Sequence, residues 1–280
     1  MPIEPEAKIF KPGVRLTLLS YNIHKGATPF KRKDILDEIR AAIRELNLDL
    51  VFLQEVIGEK KPAKAKKGKK LDPITIEKIQ AKRDQASSQF EFIADQSWPY
   101  YAYAKNAVVS FGHYGNAVLS KYPIISWYQE NISTNKLEQR GVLYCDLQIP
   151  KSIDNPEYRI HSYCLHLDLL HRGRKKQYQQ IYDKIQEEVK NSELVIAAGD
   201  FNDWNQKSGL VFEDELGLIE VHKELHGDYG RTFPAKVPLL KLDRIYLKGF
   251  KLHRVEVLSS PKWKKLSDHA PLFAELEIQD

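Results

Sequence analysis

Six short segments of this sequence finish an apolar stretch with residues able to bind a cation, move a proton or hold an anion. They are SYN ending at Asn22, LQE at Glu55, LH at His166, GDFN with Asp200 and Asn202, LD at Asp243, and SDH with Asp268 and His269. Taken singly, each has an ordinary structural reading. Glu55 reads as a solvated carboxylate, Asp200 as an Asx turn, Asp268 as a cap and His166 as a hydrogen-bonded core histidine. Taken together, their chemistry is selective: carboxylates, amides and histidines, with no thiol among them. Such a set suits a hard dication with oxygen ligands, Mg²⁺ or Mn²⁺. It also supplies an acid–base pair and donors for charge developing on a phosphoryl group. A phosphate ester is an anion, so bare carboxylates would repel it unless a metal reversed the local field.

For these residues to act together, the segments that carry them must end on one rim, where α/β folds place ligands. Arg15–Asn22 alternates weakly and reads as a strand. Asp49–Gln54 is nearly all apolar, the pattern of a strand buried on both faces. Further strands are expected at Tyr100–Tyr103, Gly115–Leu119, Gly141–Ile149, Tyr158–Leu167, Glu193–Ala198, Leu242–Leu247, Arg254–Leu258 and Leu272–Ile278. Helical periodicity marks Asp34–Leu46, through Ile35, Leu36, Ile39, Ile43 and Leu46, and Gln177–Val189, through Tyr178, Ile181, Tyr182, Ile185 and Val189. A helix is also expected over Asp72–Asp95. No internal repeat or shift in composition divides the chain. A single α/β (α+β) domain over 1–280 is expected, with sheets at its centre and helices outside.

A hydrophobic fraction of 42%, with 10% aromatic, is ample for a core and excludes global disorder. The net charge of +5 belongs to one stretch: residues 60–70, KKPAKAKKGKK, hold seven lysines and no acid, and the rest of the chain sums to −2. Such a run cannot bury a core and is expected as a solvated loop insertion at about 58–71. It also offers a tether for a polyanion, nucleic acid or an acidic membrane face. No apolar run reaches the roughly 18 residues of a membrane span. The N-terminal MPIEPEAKIFKPG has no signal-peptide core, so a cytoplasmic monomer is expected. Cys145 and Cys164 lie in expected strands and read as reduced, buried small hydrophobes. Neither has metal-ligand spacing, so zinc is not indicated.

In order along the chain, SYNIHKG, LQEV, GNAVLSKYPI, LEQRGVL, CLHLDL, AAGDFND, TFP…KLDRIYL and LSDHAPL resemble the endonuclease/exonuclease/phosphatase superfamily from about Leu18 to Leu272. GHYGNAVLSKYPI, RGVL, GDFNDW and LDRIY are most similar to a bacterial YbhP-like branch of it. The resemblance implies a DNase I-like four-layer α/β/β/α sandwich with two central mixed sheets, and a metal-dependent phosphoric ester hydrolase. It makes Glu55 the principal metal ligand, with Asn22 beside it and Asp268 at the border of the metal.

By the same resemblance, Asp200 orients or deprotonates the attacking water and Asn202 donates to a phosphate oxygen. His269, held in its tautomer by Asp243, donates to the phosphoryl group. His166 matches the position that assists the leaving group in nuclease and sphingomyelinase-like members. Arg140 of QRG is the expected phosphate clamp, and Asn116 of GNAV shares its rim. Trp204 and Phe233 are read as packing residues, and Thr232 is given no functional role.

DNA-repair members carry a tyrosine near the position of His166, so the chain looks less like an abasic-site enzyme. A nuclease on DNA or RNA leads the substrate classes, on family frequency and the lysine run. The alternative is a phosphodiesterase or phosphatase on a phospholipid head group or small phosphorylated metabolite. A non-catalytic phosphate-binding module is a minor third.

Overall fold

The computed structural model describes residues 13–27, 35–60, 88–109, 112–135, 139–150, 158–189 and 194–279. Along β1 (Arg15–Asn22), Leu16 and Leu18 face one way and Leu19 and Tyr21 the other, and all four are buried. Period-two alternation with both faces apolar calls for a layer on each side, and that is the architecture found. A first sheet has the order β11-β12-β1-β2-β4-β3, and a second β5-β6-β7-β8-β10-β9.

The elements run β1, α1 (Leu36–Arg44), β2 (Leu50–Lys60), α2 (Gln89–Ala94), β3 (Tyr100–Val109), β4 (Gly112–Ser120), β5 (Ile124–Asn131), β6 (Gly141–Ile149) and β7 (Tyr158–His166). They continue with α3 (His171–Glu188), β8 (Leu194–Asp200), β9 (Ile219–Glu220), α4 (Val221–His226), β10 (Asp243–Lys248), β11 (Phe250–Val257) and β12 (Leu272–Ile278). β1 pairs parallel to β2 and β7 parallel to β8, while the remaining pairings are antiparallel, so both sheets are mixed.

The inner core lies between the sheets. Leu16, Leu18, Leu50 and Phe52 of the first meet Cys164, Ile196, Ala198 and Ile245 of the second. On the outer face of the first sheet, Ile39 and Ile43 of α1 pack on Leu19, Val51 and Leu53. On the outer face of the second, Tyr178 and Ile181 of α3 pack on Tyr163, Val195 and Ala197. The expected four-layer sandwich is therefore the fold. Cys145 and Cys164 are free and buried.

Several boundaries differ from the sequence reading for physical reasons. β5 was not expected, because as an edge strand it exposes much of its length and carries no apolar alternation. α3 starts six residues before the expected Gln177, since its buried stripe is continued by Gly173 and Arg174, which no apolar periodicity reveals. Of the helix expected over Asp72–Asp95, the described part is the short α2, closed by a capping box between Ser88 and Glu91; 61–87 lie outside the described residues. β2 runs through Gly58 to Lys60, registered on His113 and Gly112 of β4, and the remainder of the lysine run lies outside the described residues.

Candidate active site

The inward-facing line of each central strand ends in a polar residue at the same edge of the sandwich. In β1 the line Leu16, Leu18, Ser20 ends at Asn22; in β7 Ile160, Ser162 and Cys164 lead to His166; in β8 Ile196 and Ala198 lead to Asp200. β10 runs the other way, so its line begins with Asp243 before Ile245 and Leu247. Sheet register sets His166 beside Asp200 and Asp200 beside Asp243, three adjacent strands on one rung. Gly199 makes this approach possible: its φ is +153°, and a Cβ there would lie 1.9 Å from the Leu165 carbonyl oxygen.

Glu55 reaches the site by a different device. Leu53 and Val56 both face the outer helices, and the pairing with β4 shifts register between them. One extra residue is therefore inserted, and Glu55 takes it up at φ +55°. Such a bulge re-aims a side chain that plain alternation would send to the other face.

Asp200 is the centre of the cluster. Its Oδ2 accepts from Asn22 Nδ2 at 3.1 Å and lies 3.6 Å from both His166 Nε2 and His269 Nε2. Its Oδ1 accepts the Asn202 amide at 2.9 Å, with Asn202 held at φ +48°. The Asn202 side chain donates to the Leu167 carbonyl at 3.0 Å. His269 Nδ1 donates to Asp243 Oδ2 at 2.9 Å. Asn22, His166, Asp200, Asn202, Asp243 and His269 are all buried.

The electrostatics divide the two histidines. Burial alone would lower both, but the Asp243, Asp200 and Asp268 carboxylates outweigh it at His269 and raise its pKa to about 10. At His166 burial wins, reinforced by the Arg140, His269 and Lys25 charges, so this ring is held neutral. Burial raises Asp200 above the usual carboxylate range, with Asp243 adding to the push and His269 opposing it. A cationic donor, a neutral ring and a carboxylate of raised basicity thus share one crevice.

Glu55 and Asp268 form its second half. The Glu55 carboxylate meets the Lys25 ammonium, and His24 Nδ1 lies 3.3 Å from Asp268 Oδ2 and 3.9 Å from Glu55 Oε2. Burial pushes Glu55 up, yet the charges of Lys25, His24 and His269 bring it below its ordinary value. Asn22 joins the two halves, its Nδ2 donating to Asp200 Oδ2 and its Oδ1 accepting the His24 amide, each at 3.1 Å. Ser267 ties them further, its hydroxyl donating to the Asn22 carbonyl at 2.7 Å.

Arg140 is buried beside this crevice, its Nε donating to the Leu167 carbonyl at 3.0 Å and its charge felt by His166. Asn116, expected on the same phosphate rim, is buried between the sheets. Its amide donates to the Gly141 and Cys164 carbonyls at 3.0 and 3.1 Å, joining β4 to the opposite sheet, so both amide hydrogens are committed to structure. Trp204 was read as a packing residue; it packs on the Arg174 guanidinium, 4.7 Å from ring centre, and stays 41% exposed. Phe233 packs as expected, its ring 4.9 Å from that of His269.

Sequence reasoning missed three contributors. His24 and Lys25 sit inside the SYNIHKG motif, yet only their left-handed backbone, at φ +46° and +60°, turns them onto Glu55 and Asp268. Thr232 was assigned no role, but its buried hydroxyl accepts the Asp243 amide at 3.2 Å and its carbonyl accepts the Ala270 amide at 2.8 Å. It fixes the residues on either side of the His269–Asp243 pair.

The family model described as Endonuclease/Exonuclease/phosphatase family matches residues 19–269. This chain belongs to that family. Its motif segments are the strand ends and loops that build the crevice, and the chain is an enzyme of the family's phosphoric ester hydrolase class. The Escherichia coli strain K12 protein named "Uncharacterized protein YbhP" is 40% identical over 261 residues, 93% of this chain and 96% of that one, which sets the chain in the YbhP-like branch. Among solved structures, the endonuclease/exonuclease/phosphatase from Bacteroides vulgatus superposes with a TM-score of 0.69 at 16% identity, over 95% of this chain and 100% of that one. TDP2 from Caenorhabditis elegans gives 0.57 at 18% identity, over 94% and 74%. These likenesses share the family's fold. Among the described residues no helix is long and apolar enough to cross a membrane.

The family's divalent metal has two sets of donors to choose from. Asp200, Asp243 and His269 bring ligand atoms within 4.8 Å of one another, but there the imidazolium already bonds Asp243 and faces Asp200, balancing their charge. Glu55, Asp268 and the Asn22 amide oxygen are the other set, hard oxygen donors that here meet Lys25, His24 Nδ1 and the His24 amide respectively.

Proposed function

We propose that the chain is a divalent-metal-dependent phosphodiesterase that cleaves its substrate by in-line attack of water. The observation that carries this reading is the single oxygen of Asp200 facing both His166 and the His269 cation, with Asn22 donating to it. Glu55, Asn22 and Asp268 would hold Mg²⁺ or Mn²⁺. Bound there, the ion supplies positive charge that offsets the anionic phosphoryl group and its departing oxygen.

Asp200, its basicity raised by burial, takes the proton of the attacking water. His269, kept cationic by Asp243, donates to a phosphoryl oxygen, and Asn202 offers its remaining amide hydrogen to another. Arg140 clamps the phosphate from the Leu167 side. His166 assists the leaving oxygen. This reading takes 1–280 as one catalytic domain acting as a monomer.

The test is metal-dependent hydrolysis of a soluble aryl phosphodiester. Loss of one preorganised donor typically costs about 100- to 1,000-fold in turnover, so Asp200→Asn and His269→Ala should each fall by at least that order while remaining folded. Near-normal turnover in either would refute the assignment.

Two substrate classes are carried by separate observations. The seven-lysine run of residues 60–70 supports a polynucleotide, and such binding should weaken steeply with rising salt. Aliphatic side chains exposed on loops that leave the site support a phospholipid head group.

A further inference from the structure

Exposed apolar side chains are common singly on soluble proteins. Here six of them fall on three loops that adjoin catalytic strand ends, two leaving β7 and β8 and one entering β10. Leu169 and Leu170 follow His166 by three and four residues, and Trp204 follows Asn202 by two. Val237, Leu239 and Leu240 rise from the loop that begins at Thr232 and Phe233. The six are between 39% and 66% exposed.

The loops are held firmly in this exposed state. Arg174, itself fully buried, donates to the Asp168 and Leu169 carbonyls at 3.0 and 2.6 Å, and the Asp168 carboxylate accepts the Leu170 amide at 2.9 Å. The Thr232–Leu240 loop is closed at its base by Thr232 and Leu240 amides donating to the Leu240 and Phe233 carbonyls at 2.9 and 2.7 Å. Its root also touches the site: the Ala235 amide donates to the Asp268 carbonyl at 2.6 Å, and Phe233 lies on His269. The two roots therefore flank Asp200, since β7 with His166 and β10 with Asp243, the partner of His269, lie on either side of β8.

Charge accompanies the first loop. Arg172, Lys175 and Lys176 are exposed in the opening turns of α3, and from His171 to Tyr182 the chain has no acid. Arg172 and Lys176 line a pocket of about 240 Å³ with Leu170, Thr134 and the bonded Asp168. Aliphatic tips with cations just behind them match the two layers of an acidic lipid interface, acyl chains under anionic head groups. They match single-stranded nucleic acid poorly. Leucine and valine have no π face on which a base can stack, and Trp204 has Arg174 against its ring.

We infer that the active-site mouth docks on an acidic phospholipid bilayer through Leu169, Leu170, Val237 and Leu239, which presents phospholipid head-group esters to Asp200 and His269. This rests on the phosphodiesterase reading for its substrate, but the docking itself is measured without hydrolysis. The experiment is co-flotation of the full chain with vesicles of phosphatidylcholine, with and without about one third phosphatidylglycerol. The wild type should float with the acidic vesicles. Leu169→Glu with Leu170→Glu, and separately Val237→Glu with Leu239→Glu, should each lower partition at least about tenfold, since each buried leucine side chain is worth about that factor or more. Both should keep wild-type turnover of a soluble aryl phosphodiester. Leu170→Ser with Leu239→Ser provides a milder pair if either glutamate variant melts early.

Failure of the wild type to float at millimolar lipid overturns the inference, as does equal flotation of all variants. Variants that lose binding to single-stranded DNA, or lose self-association, while still floating overturn it too. If the wild type floats but cleaves no phosphodiester, the hydrolase reading fails and the docking surface stands.

Discussion

The Asp243–His269 pair permits a prediction whose size follows from the structure. Asp243→Asn keeps the shape of the side chain and an acceptor oxygen at 2.9 Å from His269 Nδ1, so what is removed is charge. The ring's pKa stands at about 10 against an ordinary 6.5. At 1.36 kcal/mol per unit this is about 5 kcal/mol favouring the imidazolium. Asp243 is the nearest of the carboxylates that oppose burial, with Asp200 at 3.6 Å. Without it only Asp200 and Asp268 oppose burial and the ring's pKa should fall; a fall to the ordinary 6.5 would leave an imidazolium fraction of roughly 3% at pH 8.

That fraction alone costs about 30-fold in turnover, and looser orientation takes the loss to about 100- to 1,000-fold. The assay is kcat for a soluble aryl phosphodiester from pH 6 to 9, alongside NMR titration of the His269 ring. The ratio of wild type to variant should narrow as pH falls toward 6.5, because protons restore the cation in the variant. A loss below tenfold, or a ratio that does not change with pH, would refute the view that Asp243 acts by holding His269 charged.

Thr232→Val should leave the buried Asp243 amide without its hydroxyl acceptor, costing about 1–3 kcal/mol of stability and lowering kcat more than KM; an unchanged denaturation midpoint would contradict this. Glu220 is buried, caps α4 through the Lys223 amide, and is pushed up to about 7 by burial, with Arg244 opposing. A carboxyl raised in the folded state binds more protons there than in the unfolded chain, so stability is lost as pH rises from about 4.5 to about 7. Glu220→Gln should therefore be more stable than wild type at pH 8, by about 3 kcal/mol, and should approach it near pH 4.5; parallel melting curves for the two proteins across that range would show the reasoning wrong. Burial pushes both thiols up, Cys164 to about 12. Neither should react with a thiol reagent at pH 8 until the chain is unfolded, and rapid labelling of the native protein would count against the buried, reduced assignment.

Much of the fold was legible because burial leaves a period in sequence. The all-apolar Leu50–Leu53 could only be a strand covered on both faces, and the stripe through Ile39 and Ile43 could only be a helix against it. β5 and the first turns of α3 left no such mark. β5 is a largely exposed edge, and α3 buries Gly173, Arg174 and Gln177 where periodicity looks for apolar residues.

The candidate site divides along the same line. Asn22, His166, Asp200 and Asp243 were recognisable because each is a polar residue at the end of an apolar inward line, a pattern fixed by alternation and therefore local. The sequence by itself thus determined the layers, the strand ends and the kinds of chemistry gathered there. Only the tertiary structure decided the partnerships: the bulge that turns Glu55 toward the site, the left-handed residues that bring His24 and Lys25 to it, and the distant Thr232 that anchors Asp243. It also gave the two histidines opposite charge states and committed Asn116 to bridging the sheets. These depend on register, burial and contacts between segments far apart in the chain, and a side chain's charge or reach is set by neighbours that no local pattern encodes.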